Sequence, residues 1–318
     1  MTVRPATPDA TLPELVLATR DAVLAEAEAL RTALEEFSCN PQPACRFELD
    51  SAVWPRGSEP REQARAHLID LMRHQAKLIC ANAYDHLITL GRSLGSDGAM
   101  PLYAHSTLSR VVCEAAVRLT WFLDPAAATS EERIMRGAAS LLMSVNEQLK
   151  GVTRIPADHF HPDVLKPLVD NCTAERDAVH ALLTQAGLDL EMSKDGKKVA
   201  RLKLDSPVVS VPLHLEITEK MSQWLPDSPT WYNLSSGVTH SFYWMLRDAI
   251  APLQDDADLT LQPNLMQVAA AGQCAISGSR LIIETIAEYY GHDPHLAGAP
   301  SRARRDALDP YMTRLAAA

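Results

Sequence analysis

Residues 106–123 read STLSRVVCEAAVRLTWFL. On a helix, Leu108, Val111, Val112, Ala115, Ala116, Val117, Leu119, Trp121 and Phe122 cover almost the whole circumference. A helix that is apolar nearly all round belongs in an interior, so the rest of the chain has to wrap it. Its charges form one line, Arg110, Glu114 and Arg118, spaced i, i+4, i+8 and therefore stacked on one face. Three readings are open for this line: a narrow solvated stripe of ion pairs, a buried salt-bridge network, or a polar site turned toward a ligand. A buried charge must be paired or change protonation. Two arginines against one glutamate leave positive charge over, which suits an anionic ligand or another carboxylate.

The wrapping comes from further helices. Thr11-Leu-Pro-Glu14 is a capping box with proline near the start, and helical periodicity then runs to Phe37. Residues 38–57 hold Pro41, Pro43, Pro55 and Gly57 and read as a loop, with at most a short extended piece at 46–49. Ser58-Glu-Pro opens a long helix to about Leu94, stopped by Gly95 and Gly98. Asp124-Pro125 ends the apolar helix, because proline disfavours helical geometry at the residue before it. Thr129-Ser-Glu-Glu132 caps the next helix, which runs to Gly151, and another covers about 162–186 with Gly187 as its C-cap. Residues 188–204 alternate in polarity around Asp195-Gly196, the signature of a β-hairpin. Helices resume at about 212–225, 228–251, 263–290 and 301–316. The expected fold is all-α, a helical bundle of about eight to nine helices with a small β-hairpin insert near 188–204. The expected organisation is an N-terminal helix and loop arm over 1–57 and a bundle domain over 58–318.

Composition narrows the function classes. With 47% hydrophobic and 22% charged residues over 318 positions, the chain can build a sizeable core. Its 30 basic residues against 40 acidic ones give a net charge of −10, which disfavours nucleic acid as a partner. The densest basic cluster, Arg302, Arg304 and Arg305, is followed at once by Asp306 and Asp309. The first residues show no export signal, and the least charged run, Val268 to Ile283, is too short for a bilayer and contains Gln273 and Arg280. Six widely spaced cysteines read as free thiols of a reducing compartment. A cytoplasmic protein that does not engage a membrane is expected.

The helix expected at 228–251 carries a second polar line, Tyr232, Ser236 and His240, with Ser235 and Thr239 beside it. His240 reads either as a hydrogen-bonded core residue or as an acid–base group. His240, Arg118 and Glu114 are the catalytic candidates. Arg110, Arg133, Arg136, Tyr232, Ser235 and Ser236 are the ligand-binding candidates. The chain has no Gly-rich phosphate loop, no Gly-x-Ser-x-Gly elbow, no His-Glu-x2-His and no Cys-x2-Cys. Asp158-His-Phe-His161 and His292-Asp-Pro-His295 read as surface loops, so no metal and no cofactor is expected.

SRVVCEAAVRLTWFLDP, EERIMRG and WYNLSSGVTHSFYWML together resemble a group of actinobacterial all-α proteins. In that group an Arg-x3-Glu helix ends in Trp-x-Leu-Asp-Pro, an Arg-x2-Arg helix follows, and a Tyr-x-Leu-Ser…His helix comes last. The matching positions are Glu114, Arg118, Trp121, Asp124, Pro125, Arg133, Arg136, Tyr232, Ser235 and His240. The resemblance implies a fold and a shared polar centre but no activity. More distantly such proteins are similar to HEPN-type helical domains, many of which cut RNA. The Arg-x4–6-His pairs of that nuclease class occur here as Arg61–His67, Arg154–His159 and Arg154–His161, no more often than composition alone would give.

The expected function is that of a binding or interaction protein, with a small-molecule or protein partner at a buried Arg/Glu/His centre. The alternative is a HEPN-like RNase, toxin or nucleotide-acting hydrolase. A homodimer is expected from the Ala/Gly/Ser-rich stretch 269–279. The three polar lines are expected to converge, with Glu114, and Asp124 or Glu132, compensating Arg118, Arg133 and Arg136.

Overall fold

A computed structural model describes residues 4–5, 14–95, 100–125, 128–156, 162–194, 196, 198–205, 207–226, 228–242, 246, 260–261 and 263–317. The fold is mostly α-helical with one small antiparallel sheet. The chain divides into two units. One comprises residues 1–42, 78–120 and 216–318, the other residues 43–77 and 121–215.

The first unit is built on α1 (Glu14–Cys39) and α9 (Leu265–Tyr289). In α1 the buried positions Leu15, Val16, Thr19, Val23, Glu26, Ala27, Leu30 and Ala33 recur at helical spacing. They pack against α9, whose small residues allow the approach: a Cβ on Gly272 would come 2.3 Å from the Thr19 methyl group. On another side of α9 the Gly278 position lies against the backbone of Cys113 in α4 (Ala104–Leu123). The small-residue stretch 269–279 is thus covered within the chain itself. Glu26, the one buried charge of α1, accepts hydrogen bonds from Ser301 Oγ (2.7 Å) and Arg304 Nη1 (2.6 Å) of α10 (Pro294–Asp306). The long helix α3 (Pro60–Ser93) contributes its C-terminal part. The unit also holds α7 (Ile217–Trp224), α8 (Pro229–Thr239), α11 (Asp309–Ala317) and a parallel pair, β1 (Arg4–Pro5) with β5 (Thr260–Leu261).

The second unit centres on α5 (Ser130–Thr153). Thr129 caps it through the expected box with Glu132. Against α5 lie α6 (Pro162–Ala186), α2 (Arg46–Val53) and the sheet β2 (Asp189–Met192), β3 (Val199–Leu204), β4 (Val209–Pro212). Leu202, Leu204 and Val211 form the buried face of the sheet. α6 ends in Gly187 at φ +79°, with Leu188 N–H bonding back to Leu183 O, a Schellman motif.

Four expectations need correction. Residues 46–53 are a helix and not a loop: Ala44 at φ +58° turns the chain, and Glu48 accepts the Ala44 N–H. The hairpin gains a third strand, β4, where a helix was expected to begin at 212. The helix from 228 stops at Thr239, because Ser241 at φ +55° and the Phe242 N–H to Gly237 O bond close a Schellman motif. The last helix is two: Asp293 caps α10 by accepting from the His295 and Leu296 N–H groups, and Leu308 separates it from α11. The Thr11 capping residue, Asp195 and most of 243–259 lie outside the described residues. Among the described residues no helix is long and apolar enough to cross a membrane.

Candidate functional site

The α4 stripe is half-buried. Arg110 Nε donates to Glu114 Oε1 at 2.8 Å, with side chains 18% and 26% exposed. Tyr232 of α8 closes a triangle: its hydroxyl donates to Glu114 Oε1 and accepts from Arg110 Nη2, each at 3.3 Å. The guanidinium carbon lies 4.8 Å from the Tyr232 ring centroid, a cation–π contact. Tyr232 is held in place from behind. Trp231, the next residue, donates its buried Nε1–H to Ser109 Oγ (3.0 Å), and Ser235 Oγ donates back to Tyr232 O (2.9 Å). The first and third polar lines therefore meet.

Electrostatics follow from this packing. Burial raises the Tyr232 phenol above its ordinary value, and the Glu114 carboxylate pushes it further, so it is a neutral donor. Burial works against the Arg110 charge, but the Glu114 hydrogen bond and the Tyr232 and Glu114 fields outweigh it and raise the group. One Arg110 nitrogen, Nη1, is enclosed and has no hydrogen-bond partner. Arg118 is half-buried and has no ion-pair partner among the described residues. The stripe is neither a fully solvated line nor a dry, closed network.

Arg133 and Arg136 belong to the second unit and have their own partners there. Arg133, 1% exposed, is paired with Asp50 of α2, which is fully buried: Nη2 to Oδ1 is 2.6 Å, and Nε reaches Oδ1 and Oδ2 at 3.1 and 3.2 Å. Its remaining donors go to Ala128 O and Ser130 Oγ. Of the two acids offered for the compensation, Asp124 or Glu132, it is Asp124 that pairs, while Glu132 closes the capping box on Thr129. Arg136 Nη1 donates to Asp124 Oδ2 (2.8 Å) and to Trp121 O (2.9 Å), tying down the α4 C-terminus where Asp124 stands at φ +22°. The Trp-x-Leu-Asp-Pro and Arg-x2-Arg motifs are thus used in pinning helix ends.

The other candidates are scattered. His240 is exposed at the C-cap of α8, with Phe242 5.9 Å from its ring. Ser235 is buried and spent on the α8 backbone, and Ser236 is half-buried. Arg61 and His67 are both exposed on α3, and Arg61 lies over Gly187. Arg154 ends α5, while Asp158, His159 and His161 lie outside the described residues. His292 Nε2 meets Asn40 O, and His295 Nδ1 meets Arg302. Among the described residues no three His, Cys, Asp or Glu side chains cluster as metal ligands would. Comparison with protein-family models, curated proteins and solved structures finds no match.

Two residues of the site escaped sequence reading. His105 and Ser106, in the first turn of α4, are fully buried; the His105 ring faces the Pro101 carbonyl, and the Ser106 hydroxyl has no hydrogen-bond partner. For Ser106 a signal existed, since it stands four residues before Arg110 and continues the same line.

Proposed function

We propose that this chain is a binding protein that takes a small-molecule or protein partner on the polar face of α4 and α8, and not a catalyst. The observation that carries the reading is the surplus positive charge of this face: Glu114 and Tyr232 hold the Arg110 guanidinium in place, and Arg118 has no ion-pair partner among the described residues. A side chain already fixed by two neighbours loses little further entropy on binding. Arg118 supplies the surplus positive charge on the same face. Acid–base catalysis has less support, because the histidine candidate His240 is exposed at a helix end.

Thermal-shift screening with a panel of metabolites, run on the wild type and on Arg110→Met, tests this. A compound that raises the melting temperature of the wild type and not of the variant supports the reading. A panel without any such compound removes its support. The proposal includes a cytoplasmic setting and a two-fold homodimer, for which a monomer mass by light scattering at micromolar concentration is the refuting result.

A further inference from the structure

We draw no further inference here: the strongest candidate, the open groove that Asp306, Asp309, Tyr311 and Thr313 line at the turn between α10 and α11, rests on two exposed carboxylates, one already bonded to Gln273, with no second feature among the described residues that points to a ligand.

Discussion

Removing Asp50 should be the most damaging single change among the described polar residues of the second unit. Asp50 is 0% exposed and Arg133 1%, and three of the guanidinium contacts run to this one carboxylate. In Asp50→Ala the guanidinium stays buried with only Ala128 O and Ser130 Oγ as neutral acceptors. Breaking a buried pair from one side costs about 3–5 kcal/mol, a large part of the roughly 5–15 kcal/mol that holds a domain folded. The loss should be local first: α2 has 8 residues, too few for a helix to stand alone, and Asp50 is its buried anchor. Urea unfolding followed by tryptophan fluorescence is well placed, because Trp54 at the C-cap of α2 is 4% exposed. Hydrogen exchange over 46–53 should quicken as well. The double variant Asp50→Leu/Arg133→Met should recover most of the loss, since an apolar pair replaces an ion pair with little penalty. Glu114→Ala provides the contrast, costing about 1 kcal/mol because both partners are partly solvated. A loss below about 1 kcal/mol for Asp50→Ala would refute the reasoning.

Two further outcomes follow from packing and charge. His105 has a folded value of about 4 against an ordinary 6.5, so its contribution to stability is complete above the ordinary value and is lost as pH falls toward 4. The full span amounts to about 3 kcal/mol; urea midpoints between pH 7.5 and 4.5 should fall for the wild type and much less for His105→Phe. Gly278→Ala puts a Cβ 3.2 Å from the Cys113 backbone, which no side-chain rotation relieves. It should cost about 1–3 kcal/mol by calorimetry, and a neutral result would mean that α4 and α9 are less closely packed than described.

Most of the helices could be read from the sequence because their signals are local. Thr129 and Glu132 meet across one turn, Gly187 takes a positive φ that glycine tolerates, and the apolar girth of 106–123 fixes an interior helix wherever the rest of the chain goes. What could not be read depends on residues far apart. Asp50 and Arg133 are 83 positions apart, and α2 has nothing in RFELDSAV to mark it as a helix before that pair forms. The same holds for β4, which gains its identity only by pairing with β3. The end of α8 at Ser241 was hidden because serine at a positive φ carries no glycine-like signature. Of the candidate site, the Arg110–Glu114 line was visible by spacing, while its partner Tyr232 required two helices to pack. His105 was missed because a lone histidine beside small residues gives no sign that it is buried.

The central claim is that the α4 face binds through Arg110. Titrating the metabolite panel into the wild type and into Arg110→Met tests it most directly, with circular dichroism showing that both chains are folded. The account predicts a ligand that binds the wild type and loses at least about tenfold in affinity with the variant. Equal affinity for a folded Arg110→Met chain would contradict it.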